Sequence, residues 1–266
     1  MTAMPALFVS HGAPTLILDD VPARAFLARV GSELGRPSAV VVVSAHYEAT
    51  GAVRVDRSAR PRTIHDFRGF PPALYEIEYP APGDPALADE IVGLARAAGL
   101  AAETDEGWGL DHGAWVPLAL MYPGADIPVV AVSVDPAAGP EHHRRLGAAL
   151  APLRARGVLV LASGSFTHNL YEIPRPFRQI DTPAPDWVGE FADWAAAAIV
   201  EGRADDLLDY RRVAPHGARN HPTEEHLLPL FAAMGAGGMG EGGGVGRRLH
   251  DSTTFAVLRM DAYAFG

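Results

Sequence analysis

A run of four valines leads directly to a histidine in the first fifth of the chain. Residues 40–43 are all valine, and Ser44, Ala45 and His46 follow them. A continuous apolar run without polar alternation predicts a β-strand that is buried on both faces. Ligands in open α/β sheets bind at the carboxyl ends of the strands. His46 is therefore predicted to lie at a functional edge of a sheet.

The same strand-then-histidine pattern occurs twice more. Residues 6–10 precede His11, and the apolar run 158–164 leads through a short polar segment to His168. If these strands are parallel neighbours, their histidines meet at one edge of the sheet, which predicts a metal site there. The expected fold class is α/β, with a central, mostly parallel sheet flanked by helices.

Periodicity and turn residues predict the other elements. His226 is expected inside a helix that follows Thr223, and residues 107–117 are expected to form a loop. The glycine-rich residues 235–246 are interpreted as a flexible loop. Helices are predicted over 21–34, 85–98, 141–156 and 186–200, and further strands over 74–79, 127–134 and 253–260.

Composition limits the classes of protein that the chain can belong to. With 266 residues, 48% of them hydrophobic, it can bury the core of a single large domain over residues 1–266, or of two small domains at most. A formal net charge of −10 argues against binding to nucleic acids or to anionic membranes. The chain has no cysteine, so any metal must be held by histidine, carboxylate or water.

The chain shows no targeting signal. Its N-terminus lacks the basic and apolar regions of a signal peptide, and no apolar run reaches membrane-spanning length. The expected location is the cytoplasm, which is consistent with the absence of cysteine.

Two segments carry candidate substrate-binding residues. Residues 63–71 read equally well as a substrate lid and as an ordinary surface loop. Residues 107–117 combine His112 with glycines and two tryptophans, one of them Trp115, which favours a pocket wall. Tyr47, Trp115 and His226 are candidates for contact with the substrate.

Four histidines are candidates for the metal site. His11, His46 and His221 come from separate loops and can form an open cap on a metal ion, with His168 as a fourth ligand or an acid–base group. Neutral imidazole suits iron, zinc, copper or nickel, and residue spacing does not select among them.

Five motifs in this order carry a family resemblance. They are residues 10–14 (SHGAP), 44–47 (SAHY), 111–115 (DHGAW), 163–170 (SGSFTHNL) and 221–226 (HPTEEH). The set closely resembles the class III extradiol ring-cleavage dioxygenases, and specifically their 4,5-DOPA dioxygenase-like branch. The resemblance extends from about residue 5 to residue 260.

The resemblance implies a function and a set of roles. It implies that the metal is ferrous iron, that it binds a catechol, and that the catechol ring is opened with dioxygen. Zinc is another metal that can occupy the site. The resemblance also implies that His11, His46 and His221 are metal ligands. By the same resemblance, His168 is the acid–base histidine, sometimes counted as a ligand, and His112 helps to bind or protonate the substrate.

Small departures from the family pattern leave every one of these imidazoles in place. Ala13 stands where serine is frequent, Tyr47 where tryptophan is frequent, and Glu224 where proline is frequent. Two other functions fit the same residues: a zinc-dependent hydrolase on the same histidine site, and a non-catalytic binding member of the fold.

Overall fold

A mixed sheet of eight strands forms the centre of the molecule, as a computed structural model describes it for residues 3–173, 180–240 and 244–266. The strand order in this sheet is β4-β3-β5-β2-β6-β1-β10-β7, and β8 pairs with β9 separately. The strands are β1 (Ala6–Ser10), β2 (Ala39–Glu48), β3 (Val53–Asp56), β4 (Ala102–Asp105), β5 (Val129–Val134), β6 (Val158–Gly164), β7 (Gly246–His250), β8 (Thr253–Thr254), β9 (Leu258–Arg259) and β10 (Ala262–Phe265).

The three strands that precede histidines are adjacent and parallel. In the ladder, Ser44 of β2 pairs with Ser163 of β6, and Ser10 of β1 pairs with Gly164 of β6. Their carboxyl ends therefore lie side by side at one edge of the sheet. Strands β3 and β10 each pair antiparallel with a neighbour. The prediction of an α/β fold with a mostly parallel sheet is confirmed.

Helices cover both faces of the sheet. No helix among the residues of the three described ranges is long and apolar enough to cross a membrane. The helices are α1 (Pro22–Leu34), α2 (Pro85–Ala97), α3 (His112–Met121), α4 (Gly139–Arg154), α5 (Asp186–Glu201), α6 (Ala204–Leu208), α7 (Tyr210–Val213), α8 (Gly217–Asn220) and α9 (Leu228–Ala236).

The valine run of β2 shows why this strand lacks polar alternation. Val41 and Val43 belong to the core that includes α2, α4 and α9, whereas Val40 and Val42 belong to the core on the opposite face, with α1 and α3. Successive side chains of a strand point to opposite faces. Because each face of β2 contacts a helical layer, every position of the run is buried.

Several predicted elements differ from the structure. Residues 72–76 form a 3-10 helix where a strand over 74–79 is predicted. The loop predicted over 107–117 becomes helical at His112, because the Asp111 side chain caps α3 by accepting a hydrogen bond from the Ala114 N–H at 3.1 Å.

The predicted strand over 253–260 is also interrupted. Phe255 and Ala256 have φ angles of 52° and 64°, which reverse the chain between β8 and β9. The strand that pairs with β1 follows later, as β10. Apolar residues occupy positions 255–258, across the turn itself, so the pattern alone does not locate it.

Two glycines allow close packing of α4 against α9. A Cβ atom on Gly235 would lie 1.9 Å from the carbonyl oxygen of Arg144, and one on Gly147 would lie 1.9 Å from that of Ala232. Gly235, which the sequence places in a flexible loop, therefore belongs to the last turn of a packed helix. It permits a contact between helix backbones.

Replacing Gly235 with alanine is expected to lower the free energy of unfolding by about 1–3 kcal/mol, because the two helices must move apart. Urea unfolding measures the change. Gly93→Ala in α2 is the matched control, since a Cβ there meets nothing within 4 Å. The control is expected to be neutral or stabilising because alanine is the better helix former. Equal unfolding midpoints for the two variants would contradict the packing role of Gly235.

Candidate metal centre

Five imidazoles meet at the carboxyl edge of the sheet. His11 follows β1, His46 lies near the end of β2, and His112 opens α3. His168 lies in the loop after β6, and His226 in the turn before α9. Ring centroids of His46 lie 5.0 Å from His11, 4.0 Å from His112 and 4.9 Å from His226. These elements are far apart in sequence and converge through the sheet.

The Nε2 atom of His46 lies close to the Nε2 atoms of two other rings. Nε2 of His46 lies 3.1 Å from Nε2 of His11 and 3.3 Å from Nε2 of His226. Two imidazole nitrogens that each lie about 2.0–2.1 Å from one metal ion are roughly 3.0–3.4 Å apart. The spacing of these nitrogens therefore fits a shared metal ion.

The tautomer of His11 is fixed by a serine at the end of β6. The hydroxyl of Ser163 donates its hydrogen to the carbonyl oxygen of Gly113. Its oxygen must then accept from Nδ1 of His11, 3.0 Å away. His11 consequently carries its hydrogen on Nδ1 and presents an unprotonated Nε2 to the centre.

Carboxylates fix the other two rings in the same way. Nδ1 of His46 lies 3.3 Å from Oδ2 of Asp66, and Nδ1 of His226 lies 3.0 Å from Oε1 of Glu225. The Glu225 carboxylate accepts a hydrogen bond from Nδ1 of His226, and the contact with Asp66 favours the hydrogen of His46 on its Nδ1 as well. All three Nε2 atoms then have lone pairs, and partners of this kind orient metal ligands and raise their basicity.

Burial keeps the three rings neutral. It lowers the pKa values of His11, His46 and His226 well below the usual value for histidine, and neighbouring imidazoles lower them further. Neutral imidazole is the form that binds metals. The donor set therefore suits a first-row divalent metal at neutral pH.

His112 is held by the same carboxylate as His46. Oδ1 of Asp66 accepts from the backbone N–H of His112 at 2.9 Å, and both carboxylate oxygens lie 2.9 Å from its Nδ1. Burial alone would raise the pKa of Asp66, but His112 and His46 lower it to about 2. Asp66 is therefore ionised and holds two rings at once.

His168 stacks on His226 instead of sharing its plane. The two ring centroids are 3.4 Å apart and the planes differ by 12°. His168, Glu225 and His226 bring possible ligand atoms within 4.8 Å of one another. A nitrogen lone pair lies in the plane of its ring, so stacked rings direct their lone pairs along separate planes. This arrangement disfavours a metal ion shared by His168 and His226.

A close backbone approach places His226 against the sheet. The backbone N–H of Ser165 donates to the carbonyl oxygen of His226 at 2.8 Å. A Cβ atom on Gly164, the last residue of β6, would lie 2.2 Å from that same oxygen. Only glycine leaves room for the turn that carries His226.

A cavity of about 650 Å³ opens beside the histidines. Its walls are mostly apolar. Burial, with a smaller contribution from the neighbouring His112, lowers the pKa of His168 to about 4. The lining consists of Gly12, Ala13, Pro14, His46, Phe67, Phe70, His112, His168, Leu170, Ile173, His226 and Leu258. Phe67 and Phe70 come from the segment that the sequence marks as a candidate lid.

The structure does not bring every predicted site residue to this cavity. Tyr47 is buried, donates its hydroxyl hydrogen to Asp105 at 2.9 Å and stacks on Trp108. Trp115 is fully buried, and its indole N–H donates to the carbonyl oxygen of Ile64 at 3.1 Å. Both side chains support the loops around the site from outside the cavity, so their predicted contact with substrate finds no support in this geometry.

His221 also lies outside the cluster. Its Nε2 lies 3.1 Å from the carbonyl oxygen of Phe166, to which it donates, and its ring packs against Phe191 and Tyr210. In this geometry the prediction that His221 is the third ligand finds no support. His226, predicted as a substrate contact within a helix, has the Nε2 that faces His46, and it lies in a turn.

Sequence reasoning misses the partners of the rings. Ser163 and Glu225 fall within the quoted motifs, but the motifs predict no role for either residue. Asp66 sits in an irregular loop, far in sequence from both histidines that it contacts. Only the adjacency of Glu225 to His226 offers a signal, because a carboxylate beside a ligand histidine is a common orienting partner.

Comparisons with known proteins find chains that are similar to this one over most of its length. A family model described as "Catalytic LigB subunit of aromatic ring-opening dioxygenase" matches residues 5–260. A "4,5-DOPA dioxygenase extradiol" of Beta vulgaris is 41% identical over 262 residues, which cover 97% of this chain and 95% of that protein. One of Escherichia coli K12 is 40% identical over 241 residues, covering 88% and 86%. The crystal structure of an uncharacterized Escherichia coli K12 protein superimposes with a TM-score of 0.79 at 33% identity, covering 99% of this chain and 100% of that one.

Proposed function

Because this chain belongs to the LigB family of aromatic ring-opening dioxygenases and is an extradiol dioxygenase, we propose that it opens a catechol ring with dioxygen. We propose that ferrous iron supports the activity, and that His11, His46 and His226 hold it. The observation that carries this assignment is the position of Nε2 of His46, which lies 3.1 Å from that of His11 and 3.3 Å from that of His226. Zinc can occupy the same nitrogen ligands.

The metal would supply the template on which catechol oxygens and dioxygen meet and through which electrons pass between them. The protein supplies the other functions. Ser163, Asp66 and Glu225 hold the three ligand rings in one tautomer each. The apolar walls of the cavity exclude water from the reacting groups.

His168 is proposed as the group that takes the catechol proton and later returns it. Its ring lines the cavity, and a pKa of about 4 leaves it neutral and able to accept a proton at pH 7. His112 is proposed to assist from the neighbouring wall. Asp66 holds its Nδ1, which leaves Nε2 as the free nitrogen of that ring.

The aromatic ring of the substrate is proposed to lie against Phe67 and Phe70. Their rings are 5.4 Å apart and nearly perpendicular, and Phe67 lies 5.8 Å from the ring of His112. Flat aromatic substrates gain from such edge and face contacts. The names of the relatives make DOPA the first catechol to test.

We infer that residues 1–266 form a single catalytic domain. Strands from both halves of the chain alternate in one sheet, and β1 pairs with β10 from the opposite end. Membership of the dioxygenase family favours oxygen chemistry over a zinc hydrolase. The presence of five converging imidazoles argues against a non-catalytic binding role.

The proposed function is tested by loading metal-free protein with ferrous iron without oxygen and then adding a catechol in air. With DOPA or protocatechuate, we expect oxygen uptake that matches substrate loss, together with a yellow ring-opened product. Zinc-loaded protein is the control and should take up no oxygen, because zinc has no redox chemistry. If iron is bound and no catechol of a panel causes oxygen uptake, the proposal is wrong.

A further inference from the structure

We propose that Asp66 is a positioning residue that sets the proton positions of a metal ligand and of a pocket histidine together. Its Oδ2 lies 3.3 Å from Nδ1 of His46, and its two oxygens lie 2.9 Å from Nδ1 of His112. The rings of His46 and His112 are 4.0 Å apart. A single carboxylate thus contacts Nδ1 of both rings, and it accepts a hydrogen bond from that of His112.

The loop of Asp66 is anchored on the segment that leads to His112. Thr63 forms a parallel β-bridge with Leu110, and the Ile64 N–H donates to the Leu110 carbonyl at 2.7 Å. The buried indole of Trp115 donates to the carbonyl oxygen of Ile64. These contacts fix the loop to both ends of the first turn of α3. Asp66 is therefore placed by backbone and side-chain contacts on either side of His112.

The two oxygens of Asp66 contact different groups besides the His112 ring. Oδ1 accepts from the backbone N–H of His112, which is always a donor. Oδ2 is the oxygen that faces His46. In Asp66→Asn, the amide oxygen must therefore take the Oδ1 position, and the NH₂ group replaces Oδ2. That places a donor opposite the Nδ1–H of His46 while His112 keeps an acceptor.

Two variants consequently have different expected results. Asp66→Asn is expected to weaken zinc affinity about 10- to 100-fold, the usual effect of losing a partner of a metal ligand, while His112 keeps its Nδ1 hydrogen. Asp66→Ala removes both acceptors. It is expected to weaken zinc affinity and also to release the tautomer of His112.

Calorimetric titration with zinc measures the first effect. Nitrogen-15 NMR of histidine-labelled, metal-free protein measures the second, with the His112 signals identified by their loss in His112→Gln. Glu225→Gln is the matched control, because Glu225 touches His226 and not His112. It is expected to weaken zinc affinity and to leave the His112 signals unchanged.

Either of two results would overturn the proposal: wild-type zinc affinity in Asp66→Asn, or an unchanged His112 tautomer in Asp66→Ala. Asp66→Glu, which keeps two acceptor oxygens, should preserve the His112 tautomer and so separates positioning from general disruption of the loop. Only the catalytic use of His112 rests on the proposed function. The zinc and NMR measurements need no turnover, so failure of catechol cleavage and failure of the role of Asp66 are distinguishable.

Discussion

Replacing His226 with alanine is expected to weaken zinc binding by more than about 100-fold. This exceeds the usual loss of affinity on removal of a residue that only orients a metal ligand. Replacing His221 with glutamine is expected to leave zinc affinity nearly unchanged. The reason is geometric: Nε2 of His226 lies 3.3 Å from Nε2 of His46, whereas Nε2 of His221 faces the carbonyl oxygen of Phe166. Calorimetric titration of chelator-treated protein measures both affinities.

Folding must be followed in the same samples, because His221 is fully buried and burial lowers its pKa to about 3. The glutamine amide can still donate to Phe166, which limits damage to the core. Urea unfolding of the metal-free variants separates stability from affinity. Loss of zinc binding in His221→Gln, with retention in His226→Ala, would restore the assignment that the sequence resemblance implies.

The fold follows from the sequence wherever a strand is central. The valine run of β2 and the apolar runs of β1 and β6 are buried on both faces, and their continuous apolar sequences, rich in β-branched residues, are typical of such strands. Edge elements are different. Strand β7 is partly exposed and rich in arginine, and its pairing with β10 depends on distant backbone contacts that no local pattern encodes.

The site residues can likewise be predicted where a central strand positions them, and not elsewhere. His11 and His46 are fixed by the strands that precede them, and their convergence could be predicted from parallel pairing alone. His221 and His226 lie in a single short motif. Which of them faces the metal site depends on the backbone of a turn, held by the hydrogen bond from Ser165 and by the space at Gly164. A motif shows that a histidine is present, but the direction of its side chain is a tertiary property.

Asp66 is another site residue whose contacts could not be predicted from the sequence. Nothing in residues 63–71 indicates that a carboxylate there contacts histidines 20 positions before it and 46 positions after it, since the loop has no periodicity. The contact arises because Thr63 of this loop forms a single parallel β-bridge with Leu110, close to His112 in the chain. The same loop contributes Phe67 and Phe70 to the cavity, so one irregular segment supplies both an orienting group and apolar walls.

Replacing His168 with glutamine is expected to lower kcat for catechol cleavage about 10²- to 10⁴-fold, the usual contribution of a positioned acid–base group. Zinc affinity should stay close to wild type, because His168 stacks on the face of His226 and directs its lone pairs along a separate plane. Single-turnover oxygen uptake with iron-saturated protein measures the first quantity, and calorimetry the second. His250→Gln is the matched control, since His250 ends β7, does not line the cavity and stacks on Phe26 with ring centroids 4.8 Å apart.

The combination of results decides the role of His168. A large fall in kcat with unchanged zinc affinity assigns it to proton transfer, because glutamine occupies similar space and forms hydrogen bonds but does not accept a proton at neutral pH. A parallel fall in zinc affinity would make it a ligand, against the stacked geometry. Full activity with metal retained would transfer the acid–base role to His112, which lines the same cavity and whose Nδ1 is held by Asp66.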